Sequence, residues 1–185
     1  MNKKFCSIAF IVAIYVSGVF VISLQSEAMI KQEFSKQQKI VNINHGVNLS
    51  DIDYQRGLFT STARFTLTVD QGSENMISFE NNVAIQHGPV MMTRQGLKLA
   101  LFNADSRLVS NNFSKITAIN DMAEVVKLKL MDYFSNDFAI STLTVGFTGH
   151  ANYMLTIAPL KIKQQTAQFN FEGMVAHGEG SFTQP

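Results

Sequence analysis

Phe59-Thr60-Ser61-Thr62-Ala63-Arg64-Phe65-Thr66-Leu67-Thr68-Val69 is the stretch on which the fold turns. Phe59, Ser61, Ala63, Phe65, Leu67 and Val69 take every second position, alternating with Thr60, Thr62, Arg64, Thr66 and Thr68. A period of two sends alternate side chains to opposite faces, so the segment reads as a half-buried β-strand. On its carboxyl side Ile77, Phe79, Val83 and Ile85 mark a second such strand, and Gln71-Gly72-Ser73 between the two is a polar connection suited to an antiparallel hairpin. On its amino side Ile43, His45, Val47 and Leu49 alternate with Asn42, Asn44, Gly46 and Asn48 from Val41 onward.

Further out, Leu97, Leu99 and Leu101 predict a strand over Gly96–Phe102. Three more are expected at Phe138–Phe147, Tyr153–Ile162 and Thr166–Met174, separated by Gly149-His150 and Gln164-Gln165. Connections this short join antiparallel neighbours, because parallel strands need a crossover of a dozen or more residues. The expected fold is mainly β (α+β): a curved antiparallel meander of about seven strands with one short amphipathic helix. That helix is placed at Asp121–Phe134, where Met122, Ala123, Val126, Leu130, Tyr133 and Phe134 share a face, Asp121 can cap and Glu124 holds the capping-box position. Val126-Lys127-Leu128-Lys129-Leu130 also alternates like an exposed strand, and the helical period is preferred. One such helix is too small to cover seven strands. The sheet must curl on itself or take a second layer from a partner, a second copy or a segment outside this chain.

The amino terminus has a different character. Lys3 and Lys4 precede twenty uncharged residues, Phe5 to Leu24, which as a helix rise about 30 Å, the thickness of a bilayer core. Residues 1–24 therefore read as a transmembrane anchor, with a signal peptide cut near Ser26-Glu27-Ala28 as the alternative. With the lysines cytoplasmic, the rest faces the other side. Cys6 opens the apolar run instead of closing it, which argues against lipidation. Residues 25–40 lack Pro and Gly and carry Ile30, Phe34 and Val41 at helical spacing, a helical stalk leading into a sheet domain at 41–185.

Composition narrows the chemistry. Thirteen basic and fourteen acidic residues follow Leu24, which leaves no electrostatic footprint for nucleic acid or anionic lipid. A single Cys excludes an intramolecular disulfide and a cysteine-based zinc site, and His45, His87, His150 and His177 lie far apart, so no metal or cofactor is expected. With no G-x-S-x-G elbow, dinucleotide fingerprint or phosphate loop, no catalytic residue is assigned and the chain is expected not to be an enzyme.

Two motifs remain as candidate sites. In Tyr54-Gln55-Arg56-Gly57-Leu58-Phe59, Gly57 is expected to turn the chain with a positive φ, Arg56 to bond a carboxylate such as Asp53, and Tyr54 and Phe59 to pair across the corner. His87-Gly88-Pro89 ends a strand, with His87 on the apolar face as a buried neutral imidazole. A structural corner is the preferred reading of the first and a backbone-bonded core histidine of the second; the alternatives are a recognition site and a proton-sensing or ligand-binding group. Met91-Met92 follows, as core filling or an adaptable contact surface.

Tyr54-Gln55-Arg56-Gly57-Leu58-Phe59-Thr60-Ser61 resembles the Y-x-R-G-x-F-x-S signature of the YdgA-like family of bacterial envelope proteins, a domain of unknown function. His87-Gly88-Pro89, Gly146-Phe147-Thr148-Gly149 and Ala158-Pro159-Leu160 resemble its later elements, in the same order. Family members are usually longer, so the likeness is to their amino-terminal part and the chain is expected to be a shortened or truncated form. The resemblance implies a single-pass protein of the bacterial inner membrane, its bulk in the periplasm, β-rich and without an established activity. The expected function is a membrane-tethered interaction or scaffold module that binds a second copy or an envelope protein. The alternative is a lipid- or lipophile-binding protein that uses the apolar face of the sheet.

Overall fold

The computed structural model describes residues 3–43, 46–70, 76–93, 96–110, 122–163 and 168–181, of which 3–15, 70 and 76 by backbone alone. In chain order these form α1 (Lys3–Ile43), β1 (Val47–Leu49), β2 (Asp53–Gln55), β3 (Thr60–Asp70), β4 (Met76–His87), β5 (Met91–Thr93), β6 (Gly96–Lys98) and β7 (Phe102–Ser110). Then follow α2 (Glu124–Ser135), β8 (Ala139–Val145), β9 (His150–Ile157), β10 (Leu160–Lys163), β11 (Gln168–Phe171) and β12 (Met174–Ser181).

The opening alternation becomes β3, paired antiparallel with β4 from Thr60↔Gln86 to Asp70↔Met76. Eight strands make one curled, half-barrel antiparallel sheet in the order β1-β3-β4-β7-β8-β9-β12, with β2 beside β1 along the free edge of β3. The register aligns Ser61, Ala63 and Phe65 with Ile85, Val83 and Asn81, and these with Ala104, Ser106 and Leu108, so one apolar face runs through the sheet. Ala63, Ile85, Leu101, Phe102, Ala104, Val145 and Ala151 bury together on it as the core.

α1 supplies the second layer. It runs unbroken from Lys3 to Ile43, and Ile22 and Ile30 pack against the core cluster while Val19, Ser23 and Ser26 are buried. Farther along, the Phe34 ring lies 4.9 Å from that of Phe65, Gln38 donates to the Leu49 carbonyl at 3.1 Å, and the Leu49 N–H donates to Asn42 at 2.7 Å. The segment expected as a stalk thus lies along the sheet, and the cover sought from a partner is the chain's own helix. The expected transmembrane reading of this helix is not supported: among the described residues no helix is long and apolar enough to cross a membrane.

α2 closes the other end. Phe79 of β4 gathers Phe134 and Phe138 at centroid distances of 6.4 and 5.9 Å, and the Tyr133 hydroxyl donates to the Ala158 carbonyl at 2.6 Å. The helical period therefore prevails over the strand-like alternation at 126–130, because Val126 is buried while Val125 and Leu128 face solvent. Its N-cap is Ala123, which makes no side-chain cap bond; the expected cap, Asp121, lies outside the described residues. Gln71-Gly72-Ser73, Gln164-Gln165, Asn44 and His45 lie outside them as well.

Three strand expectations need correction. Val41 to Ile43 end α1, so the first strand is only Val47–Leu49. Leu97 and Leu99 are exposed (67% and 69%), since β6 pairs only with β5 in a hairpin and the sheet's own strand is β7, an irregular mixture of apolar, polar and charged residues. The last two expected strands split into four: Ala158-Pro159 breaks β9 from β10, the β10–β11 hairpin makes an excursion, and β12 returns to pair with β9.

Candidate functional site

The two motifs meet beneath α1. Ser61 of β3 faces β4, and its Oγ lies 2.7 Å from Nε2 of His87, at the end of that strand. The Gly57 N–H donates to the same Ser61 Oγ at 3.1 Å, and Ser23 of α1 donates to the Gly57 carbonyl at 2.9 Å. The Ser61 hydroxyl can donate to Nε2 or accept from it as well as from Gly57, and in either tautomer Nδ1 is a buried atom with no partner among the described residues. Burial holds the His87 imidazole neutral, with its pKa lowered to about 4.

A charged rim surrounds this buried chain. Arg56 Nη1 stands 3.6 Å from Glu27 Oε2 and its guanidinium 5.9 Å from the Phe20 ring, while Lys31 bonds Glu27 at 2.8 Å and lies 5.5 Å from the Tyr54 ring. Tyr54 packs against the core with its hydroxyl buried; burial raises its pKa, with the nearby Ser61 hydroxyl acting in the opposite sense. The rim pairs are partly exposed and each contributes little, about 0–1 kcal/mol.

Gly57 does not have the positive φ expected of it. Its constraint is space: a Cβ there would collide with the carbonyl oxygen of Thr60. Arg56 reaches Glu27 across to α1 instead of Asp53. Phe59 is 47% exposed, and no ring contact joins it to Tyr54. Gly88 is buried with φ +133, and its N–H donates to the Leu101 carbonyl at 3.3 Å, turning the chain into Pro89 and the β5–β6 hairpin. Tyr54, Arg56, Gly57 and His87 are thus brought together, while Phe59, Gly88 and Pro89 flank them. Ser61, Ser23 and Glu27 complete the site and were not anticipated. A signal existed: Val19, Ser23, Ser26 and Ile30 recur at spacings of four, three and four, one helical face carrying two hydroxyls inside an apolar run.

A serine at hydrogen-bond distance from a histidine is the spacing of an activated nucleophile. Here the pair is sealed under α1, each residue 2% exposed, and nothing orients Nδ1. The arrangement clamps a helix to a sheet. Among the described residues no three His, Cys, Asp or Glu side chains gather as metal ligands, and His150 and His177 lie on the far strands β9 and β12.

The opposite face of the sheet is polar. A cleft of about 580 Å³ opens there, lined by residues including Arg64, Asn82, Gln86, Asp105 and Arg107, with Met92 and Thr93 of the hairpin at its margin. A smaller one of about 270 Å³ adjoins it beyond Lys98, whose Nζ donates to Thr144 at 3.1 Å and ties β6 to the sheet.

No curated protein and no solved structure matches this chain. The family described as bacterial protein of unknown function (DUF945) matches residues 1–184, a span that includes every one of those motifs, and the chain belongs to that family.

Proposed function

We propose that the protein is a non-catalytic interaction module of the bacterial envelope, tethered by α1 at the inner membrane with its sheet on the periplasmic side. The observation that carries this reading is the two-sidedness of α1 around residue 20. Its inner side, Val19, Ser23 and Ser26, is buried, while Phe20, Val21 and Leu24 on the outer side are 49%, 51% and 41% exposed. An apolar outer side contiguous with the uncharged run that precedes it suits contact with lipid. With the helix docked, residues 5–18 reach about 21 Å, short of a core of about 30 Å. The tether therefore brings the sheet domain down against the bilayer instead of holding it on a stalk.

The apolar sheet face does not favour the acyl-chain alternative, because Ala63, Ile85, Phe102 and Val145 are already packed there beneath α1. Two tests apply to the full chain: alkaline carbonate extraction, and a reporter fused after Pro185 that is active only outside the cytoplasm. Retention in the membrane pellet with an active reporter is expected. A chain released by carbonate, or a reporter that works only in the cytoplasm, overturns the proposal.

A further inference from the structure

We infer that the end of the sheet beside residues 19–24 of α1 is a lipid-contacting rim, which seats the domain on a zwitterionic bilayer through its apolar connections. The inference rests on the tether proposed above and names the surface that meets the lipid. A row of backbone bonds marks this end: the His87 N–H donates to the Phe59 carbonyl at 2.8 Å, Gly88 to Leu101 at 3.3 Å, Leu101 to Val145 at 2.8 Å and Gly146 to His150 at 2.8 Å. Within two residues of the row, Leu58 and Phe59 before β3, Val90 and Leu99 at the base of the β5–β6 hairpin and Phe147 between β8 and β9 are all exposed. Met92 and its register partner Leu97 continue that surface along the hairpin. Connections at strand ends are ordinarily built from Gly, Pro, Asn, Asp and Ser. Large apolar side chains in three separate connections at one end mark a surface covered by something other than water.

The course of α1 selects lipid as the cover. Ser23 bonds Gly57, Phe34 lies beside Phe65, and Gln38 reaches Leu49, whose register partner is Leu67. The helix thus runs along β3 in the same direction, and the uncharged residues before Val19 project beyond the row. Residues 5–18 rise about 21 Å against a hydrocarbon core of about 30 Å, and the missing length, about six residues, is that of 19–24. Phe20, Val21 and Leu24 supply its exposed apolar side. With those turns in lipid, Gly57, held by Ser23, lies at the bilayer boundary, and Leu58 and Phe59 beside it enter to the depth of about 5–10 Å usual for interfacial apolar groups. The first charges past Leu24 stand together at that level, Glu27 between Lys31 and Arg56. Because they neutralise one another in large part, the contact is apolar and needs no anionic lipid. Exposed Val125 and Leu128 on α2 lie at the opposite end of the sheet, about 30 Å away along β3, and stay in water.

The chain contains no Trp, so one introduced indole reports its own surroundings. The test is reconstitution of the full chain into phosphatidylcholine vesicles, with and without lipid brominated in the upper half of its acyl chains, carrying one Trp at a time. Phe10→Trp reports the tether; Phe59→Trp, Leu99→Trp and Phe147→Trp report the rim; Val125→Trp is the control at the far end, and circular dichroism checks that each variant folds. Bromination is expected to lower emission roughly two-fold or more at Phe10→Trp and at the three rim positions, and to leave Val125→Trp unchanged. Adding phosphatidylglycerol to the vesicles should not alter the pattern. Quenching at Phe10→Trp with none at the rim overturns the inference and leaves the tether standing, whereas no quenching at Phe10→Trp removes the tether and the inference with it. Rim emission that is blue-shifted but unquenched assigns the surface to a second copy or another protein, and rim quenching that requires phosphatidylglycerol assigns it to anionic lipid; either result overturns the inference.

Discussion

Gly57 and Arg56 are neighbours in one motif, yet they answer to different forces. Gly57 has the Thr60 carbonyl where a Cβ would be, so Gly57→Val must push backbone apart and is expected to cost about 2–3 kcal/mol. Arg56→Ala removes a partly exposed pair and is expected to cost under about 1 kcal/mol. Thermal melts of the two variants should therefore differ clearly, and equal tolerance would remove the packing argument. His87 carries a pH signature. Its folded pKa, about 4, lies below the ordinary histidine value because burial disfavours the imidazolium. The unfolded chain then binds the extra proton between about pH 6.5 and 4, so its stabilisation is complete above pH 6.5 and is lost as pH falls toward 4. Urea titrations across that window should show a decline of up to about 3 kcal/mol, and His87→Gln should flatten it. The burial of His87 was legible from parity alone, counting in twos from Ile77. Its bond to Ser61 was not, because the partner sits 26 positions away on another strand.

At the scale of elements, α1 is the informative case. An apolar helix with two buried serines docks through carbonyl bonds, Ser23 to Gly57 at this end and Gln38 to Leu49 farther along, and through Ile22 and Ile30 against the core. Ser26 turns inward to bond the Ile22 carbonyl at 2.7 Å, so its hydroxyl adds no contact with the sheet. Ser23→Ala leaves the Gly57 carbonyl without this donor and is expected to cost about 1 kcal/mol. Ile22→Asp places a carboxylate against the core and should release the docked segment outright. Amide exchange over residues 19–30 is the readout: faster in both variants, and near the unprotected rate in Ile22→Asp, with β3 and β4 still protected. Unchanged exchange in Ile22→Asp would mean that docking does not depend on this contact. α2 shows the opposite balance. Its existence was legible from the period of Val126, Leu130, Tyr133 and Phe134, but its start was misplaced, since Ala123 caps it without a side-chain bond.

For the whole molecule, the open question in the sequence was what covers one long apolar face, and the answer lies within the chain. Residues 28–185 would lose Ile22 from against the cluster that holds Ile85, Phe102 and Val145, and with it the buried Val19 and the Ser23 bond to Gly57. Burial is worth about 25 cal/mol per Å² of apolar surface, so the uncovered face should bind hydrophobic dyes and associate. The full chain, with α1 docked, should show far less dye binding in the same nonionic detergent. Sedimentation of 28–185 as a dye-silent monomer would show that the remaining strands and α2 cover the face unaided. The edge strand β12, paired only with β9, adds a second route to association.

What the sequence determined by itself is what depends on neighbours along the chain. The period of two in β3 and β4, the burial of His87, the helical period of α2 and the sharp turn after His87 all follow from side chains a few positions apart. Tertiary structure decided the rest. Leu97 and Leu99 alternate like core residues, yet they stand in solvent because β6 pairs in a hairpin outside the sheet. β7 has no clean period and is nonetheless the centre of the sheet, held between β4 and β8. The run from Phe5 to Leu24 reads alike whether lipid or a sheet will surround it, because hydrophobic burial has no direction. Only the folded chain, which sets Ser23 over Gly57 and Arg56 beside Glu27, shows what its last turns lie against.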